Sequence, residues 1–227
     1  MSEEPKQNLK ISPVVLVIIS FVLLAIVAMT TILLRNQNST STRNNDPDAV
    51  AIVEDDNYDD GITDIDPPKP LDDFTLTSTA GEKVKFSNYD DHWRIIYFGY
   101  TNCPDFCPST LTDFKRVKDE LGDQADRVTF MMISVDGERD TPAELATYLG
   151  KFDSDFVGLT GTKEEVIPAT KTFGVFFEKH DNTDTEHYAV DHTVSIFVVN
   201  PTGEMVALYA YGTDVQTIID DLKSRLS

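Results

Sequence analysis

From residue 74 onward, apolar positions come in short runs that switch between two periods. Ile95-Ile96-Tyr97-Phe98 is a continuous apolar stretch, the pattern of a buried strand over 94–99. Val128 to Val135 predicts a second buried strand. Phe74-Thr75-Leu76 and Val84-Lys85-Phe86 alternate around Ala80-Gly81-Glu82, which predicts an opening β-hairpin. Helical spacing fills the intervals. One helix runs from about Pro108 to Leu121. Thr141-Pro142-Ala143-Glu144 is a capping box with proline at the first helical position, and Leu145, Tyr148, Leu149 and Phe152 form the apolar face behind it. Thr162…Glu165 and Thr213…Gln216 repeat the capping logic for two later helices. The last of these carries Val215, Ile218, Ile219, Leu222 and Leu226 at helical spacing. Between them lie Gly174 to Glu178, Val194 to Asn200, a turn at Pro201-Thr202-Gly203-Glu204, and Val206 to Tyr211.

Strand, helix, strand, helix, then a two-stranded hairpin and a final helix is the thioredoxin order. The expected fold is therefore α/β and thioredoxin-like, with an N-terminal β-hairpin and a central sheet covered on both faces. The loop after the first buried strand then falls at the C-terminal end of a central strand, the usual place for a site in an open α/β sheet.

The beginning of the chain has a different pattern. Val14 to Leu34 is a run of 21 residues without a charge, long enough to cross a bilayer as a helix. Arg35-Asn36-Gln37-Asn38 follows with no small-residue cleavage site, so an uncleaved anchor is favoured over a signal peptide. Residues 1–13 become a short cytoplasmic leader, residues 35–69 a linker and residues 70–227 the folded domain. Asn44 to Asp73 holds eleven acidic residues against the single Lys69, with Pro67, Pro68 and Pro70, and is expected to stay extended and unfolded. Lys6 and Lys10 before the span nearly balance Arg35 and Arg43 after it, and the short leader tips the orientation toward an N-terminus inside. The expected location is the cytoplasmic membrane, single-pass, with the C-terminal domain on the extracytoplasmic face. The chain carries 39 acidic and 19 basic residues, a formal net charge of −20, which excludes a nucleic-acid binder.

The two cysteines of the chain sit together, in Cys103-Pro104-Asp105-Phe106-Cys107-Pro108. They occupy a strand-to-helix corner, where the helix N-terminus stabilises negative charge and lowers a thiol's pKa. The C-x-x-x-C spacing is one residue longer than the redox motif C-x-x-C and suits a soft metal as well as a disulfide. A third group is needed to choose. Of the four histidines, His92 reads as a surface residue, and His180 and His187 flank an acidic, solvated loop. His192, in Asp191-His192-Thr193, directly precedes a late strand that a thioredoxin-like sheet places beside the cysteines. Two thiolates and one imidazole make a soft three-coordinate site, which suits Cu(I) and falls short of the four ligands of a closed structural zinc. Asp136, Arg139 and Asp140 crowd one loop and read as turn-forming charges. Asp105, between the cysteines, reads as a charge that would raise a thiol's pKa or face a partner.

Phe98-Gly99-Tyr100-Thr101-Asn102-Cys103-Pro104-Asp105-Phe106-Cys107-Pro108, Ile133-Ser134-Val135-Asp136-Gly137-Glu138-Arg139-Asp140-Thr141-Pro142 and Asp191-His192-Thr193 together resemble the signature segments of the SCO/SenC copper chaperones. The resemblance covers roughly residues 68 to 227. It implies a thioredoxin fold, an N-terminal membrane anchor and copper held by Cys103, Cys107 and His192, as Cu(I) with Cu(II) left open. It also implies delivery of that copper to the oxidase subunit carrying the CuA centre of cytochrome c oxidase, and leaves room for a second extracytoplasmic partner as copper donor. Gly137 stands where the family usually has proline, and Asn102 where histidine is common. The competing expectation is a membrane-tethered thiol–disulfide oxidoreductase that uses Cys103 and Cys107 as a redox-active disulfide. Val190-Asp191-His192-Thr193 lacks the proline such enzymes carry before the facing strand, so a copper carrier rather than an enzyme is expected.

Overall fold

Strand β4 (Trp93–Gly99) is the centre of the molecule, and its burial explains its sequence. Every residue from Arg94 to Gly99 is buried, as expected of a strand flanked by neighbours in the sheet and covered on both faces. The structure, a computed structural model, describes residues 61–180 and 188–227. The remaining strands are β1 (Ile62–Pro70), β2 (Thr75–Ser78), β3 (Lys83–Lys85), β5 (Val128–Ser134), β6 (Val157–Thr160), β7 (Phe177–Lys179), β8 (Val190–His192), β9 (Ile196–Val199) and β10 (Glu204–Tyr209). The helices are α1 (Phe106–Leu121), α2 (Pro142–Leu149), α3 (Lys163–Phe173) and α4 (Val215–Arg225).

Eight strands form one sheet in the order β1-β10-β9-β4-β5-β6-β2-β3, while β7 and β8 pair separately as a short arm. β4, β5 and β6 run parallel, β9 pairs antiparallel with β4 on the other side, and β10 pairs antiparallel with β9. This is the mixed α/β order expected from the sequence, with the predicted hairpin present as β2 and β3 at one edge. Helix α1 buries Cys107, Thr110, Leu111, Phe114, Val117 and Leu121, a stripe at three- and four-residue spacing. It starts at Phe106, two residues before the expected Pro108, so Cys107 lies in its first turn. Proline is tolerated there because N–H groups of a first turn have no intrahelical partner.

Both predicted capping boxes at Thr141 and Thr162 form, each threonine side chain accepting from the N–H three residues on. The third differs. Asp214 caps α4 by accepting from Gln216 and Thr217 N–H, while Thr213 Oγ1 donates to the carbonyls of Gly61 and Ala210. The expected unfolded linker also ends earlier than residue 69. Ile62–Pro70 is an edge strand whose backbone pairs with β10, and Asp64 is ion-paired to Arg225 at 2.6 Å. Main-chain hydrogen bonds and that cation offset the charge repulsion read from its acidic composition. Among the described residues no helix is long and apolar enough to cross a membrane. The Val14–Leu34 run lies outside them.

Candidate metal centre

β4 delivers the cysteine loop to the edge of the core. Gly99 ends the strand in close approach: a Cβ there would lie 2.8 Å from Cys107 Sγ and 2.7 Å from the Tyr97 ring, so only glycine leaves the thiol room. The following residue pair is fixed from β5 and its loop. Asp140, fully buried, accepts from Thr101 N–H at 3.0 Å, from Thr101 Oγ1 at 2.6 Å and from Ser134 Oγ at 2.6 Å. Cys103 then sits in the loop and Cys107 in the first turn of α1, with the Cys107 N–H donating to Cys103 Sγ at 3.4 Å. Both cysteines are free thiols and buried.

His192 arrives from the opposite side as the last residue of β8. Its Nδ1 lies 3.0 Å from the Thr193 carbonyl, an acceptor only, so Nδ1 carries the proton and Nε2 keeps its lone pair. Nε2 lies 3.9 Å from Cys107 Sγ. Tyr97 and Tyr100 meet the imidazole edge-on, with ring centroids 5.8 and 5.7 Å away. The two sulfurs and the nitrogen lie within 4.8 Å of one another. The arm that carries His192 is itself anchored. Tyr188 donates to Asp136 at 2.5 Å, and the Arg139 guanidinium lies 3.5 Å over the Tyr188 ring while its Nε donates to Asp136 at 2.6 Å.

The electrostatics separate the two thiols. Cys103 is held down at about 4, chiefly because the Cys107 thiol donates to it, with the backbone N–H groups of Cys107 and Asp105 adding to the effect against the opposing burial. Cys107 is pushed up, because it keeps the proton it shares with Cys103 and because it is buried. Tyr97, whose hydroxyl lies 3.7 Å from Cys107 Sγ, is pushed up by burial and by the nearby sulfur charge. At neutral pH the pair is a monoanion with its thiolate on Cys103, facing an imidazole lone pair. That arrangement matches a soft cation that prefers sulfur and imidazole.

The fold thus brings together the three residues singled out from the sequence, Cys103, Cys107 and His192. His92 and His180 are engaged elsewhere. His92 is bonded to Thr129 at the surface, and His180 is paired with Asp191 at 2.6 Å, which raises its pKa. His187 lies outside the described residues. Asp105 acts on Cys103 through its backbone N–H. Asp136, Arg139 and Asp140 do more than shape a turn, since they brace the cysteine loop and the histidine arm. Gly137 is also more constrained than expected: a Cβ would fall 1.8 Å from the Gly161 carbonyl oxygen, so this backbone has no room for the proline common at that position. Sequence reasoning missed Tyr97, Gly99, Tyr100 and Tyr188. Only Gly99, a glycine directly after a buried apolar run, carried a readable signal.

Comparison with known proteins finds relatives in sequence and in fold. The mitochondrial SCO1 homolog of Homo sapiens is 38% identical over 135 residues, 59% of this chain and 45% of that protein. The chain therefore spans less than half the length of that relative. SCO1 homolog 1 of Arabidopsis thaliana is 32% identical over 148 residues, 65% of this chain and 44% of that protein. Among solved structures, apo Sco1 of Thermus thermophilus superposes with a TM-score of 0.66 at 37% identity, covering 72% of this chain and 95% of that one. Copper-bound ScoI of Bradyrhizobium japonicum gives 0.63 at 34% identity, covering 68% and 98%. Residues 64–227, which hold the whole cysteine loop and the histidine arm, match the SCO1/SenC family, and the chain belongs to that family.

Proposed function

We propose that this protein is a copper carrier that binds one copper ion through Cys103, Cys107 and His192 and hands it on during assembly of the CuA centre of cytochrome c oxidase. The observation that carries the reading is the convergence of two sulfurs and one imidazole nitrogen from opposite elements, with Nδ1 tied to Thr193 and Nε2 free. Two thiolates and one imidazole satisfy Cu(I), and relatives of the same fold are copper-bound structures. In this reading Val14–Leu34 anchors the chain in the membrane and the domain works on the extracytoplasmic face, where the oxidase subunit carrying CuA and a copper donor are its partners.

Anaerobic competition of the reduced protein against a chromophoric Cu(I) chelator tests it. Cys103→Ala and Cys107→Ala should abolish tight binding, because one thiolate and one imidazole leave too few soft donors. His192→Ala should still bind, at least about tenfold more weakly, as expected when a coordinating imidazole is lost. A His192→Ala variant with wild-type affinity and wild-type oxidase loading removes the histidine from the site and refutes the reading.

One observation favours a second activity. A thiolate on Cys103 beside a protonated, fully buried Cys107 is the asymmetry that dithiol–disulfide exchange uses. His192→Ala leaves the Cys107 hydrogen bond to Cys103 in place. A disulfide-reductase activity therefore survives that substitution, whereas copper transfer does not.

A further inference from the structure

Four large apolar side chains are notably exposed among the described residues: Phe106 at 42%, Ile167 at 45%, Phe176 at 59% and Tyr211 at 41%. Three of them border the metal centre. Phe106 lies between the two cysteines in the chain. Tyr211 packs edge-on against it, with centroids 4.9 Å apart and planes at 87°. Phe176 exchanges hydrogen bonds with Thr193, the neighbour of His192, through its N–H to Thr193 Oγ1 at 3.1 Å and its carbonyl to Thr193 N–H at 3.0 Å. Ile167 lies on α3. Leaving three aromatics in water around one site is unfavourable for an isolated chain and is a property of docking surfaces.

The charge beside these rings is predominantly acidic. Asp105 adjoins Phe106, Asp191 adjoins His192 and Glu178 lies two residues from Phe176, all exposed. The nearby bases are already paired, Lys179 with Glu138 at 2.6 Å and His180 with Asp191. The cysteines are buried and His192 is half-buried, so an acceptor must close over the histidine edge to reach the ion.

Resting on the copper-carrier reading, we propose that Phe106, Tyr211 and Phe176 form the apolar centre of a docking surface for one occupant. That occupant is a folded copper-accepting domain whose own copper ligands lie in an apolar patch ringed by lysines or arginines. The aromatics exclude water while copper passes from Cys103, Cys107 and His192 to the acceptor's ligands. The step is ligand exchange at constant oxidation state: as copper leaves, Cys107 takes up one proton while Cys103 stays a thiolate, and one acceptor thiol gives up its proton. The acidic rim attracts the basic ring of the acceptor, which speeds encounter.

The test compares the full chain with its Phe176→Ser/Tyr211→Ser double variant, neither residue being a ligand. An Ile167→Ser variant is the control. Each is loaded with Cu(I) and mixed with the apo copper-site domain of an oxidase subunit or, separately, with a small Cu(I) chelator. The double variant should keep its Cu(I) affinity yet transfer to the protein acceptor at least about tenfold more slowly, the scale set by losing interface aromatics. Transfer to the chelator should not slow, Ile167→Ser should behave as wild type, and added salt should slow wild-type transfer to the domain. Wild-type transfer rates in the double variant would overturn the docking surface alone. A wild-type chain that binds Cu(I) but never loads the domain would overturn the carrier reading and the surface with it. A concentration-dependent dimer in light scattering that the double substitution dissolves would assign the patch to a second copy, and so refute the proposal.

Discussion

Gly99→Ala tests whether the cysteine site is shaped by the backbone beneath it. The added Cβ would lie 2.8 Å from Cys107 Sγ and 2.7 Å from Tyr97 Cε1, both side chains being fully buried. Ordinary contact begins near 3.4 Å, so one or both groups must retreat by about 0.6 Å in a core that packs without slack. Overpacking of that kind costs about 1–3 kcal/mol. In a domain of this size each kcal/mol lowers the melting temperature by about 2–4 °C. The same retreat displaces a copper ligand. Misplacing a ligand by half an ångström is enough to impair a three-coordinate site, so Cu(I) affinity should fall at least about tenfold. Thermal melts of the reduced apo protein and Cu(I) competition titrations read the two effects. An alanine variant that melts and binds as wild type does would refute the claim that Gly99 makes room for the thiol.

Loading Cu(I) at neutral pH should release one proton per copper, read with an indicator dye in weak buffer. Cys103, at about 4, is already a thiolate, Cys107 still holds its proton and His192 Nε2 has none to lose. Release of two protons would show that both thiols are protonated in the apo form. The same pair sets a pH dependence on the reduced apo fold. Cys103 is lowered from an ordinary 9.0, so its contribution is complete above that value and is lost as pH falls through about 4. Cys107 is raised, so stability declines as pH climbs above the ordinary thiol value. Urea titrations should therefore show a pair-dependent rise in stability from acid to mildly alkaline pH, absent in Cys103→Ser/Cys107→Ser. Gly137→Ala should destabilise the fold by about 1–3 kcal/mol in urea titrations, because its Cβ meets the Gly161 carbonyl, a backbone group that cannot swing aside as a side chain can.

What the sequence revealed was local, or repeated a strong period. The apolar runs at 94–99 and 128–135, the capping boxes at Thr141 and Thr162, and the cysteine loop each carry their signal within a few residues. His192 lies 85 residues from Cys107, so its place beside the thiols was readable only once a strand order had been assumed. The braces Asp140–Thr101 and Tyr188–Asp136 span 39 and 52 residues and left no trace in local pattern. β1 escaped because its pairing is main-chain and its side chains are mostly polar. Thr213 and Asp214 are adjacent and both suited to capping, and only the path of the chain through Gly61 decides between them. Arg94 escaped for the opposite reason. It is fully buried, donating to Asp90 and the Asn200 carbonyl at 2.8 Å with its guanidinium over Phe86, where the sequence shows a charge opening an apolar run.

The edge strand β1 bears on how this protein can be cut. It pairs with β10 through Ile62–Tyr209, Thr63–Leu208 and Asp64–Ala207, while Ala210 N–H reaches the Gly61 carbonyl at 2.8 Å. A soluble fragment begun at residue 70 discards that partner and leaves Glu204–Tyr209 with a row of unmet amides and carbonyls. Such an edge recruits strands from other molecules, so the shortened fragment should self-associate and precipitate. A fragment begun ahead of Gly61 keeps the edge closed and should remain dispersed.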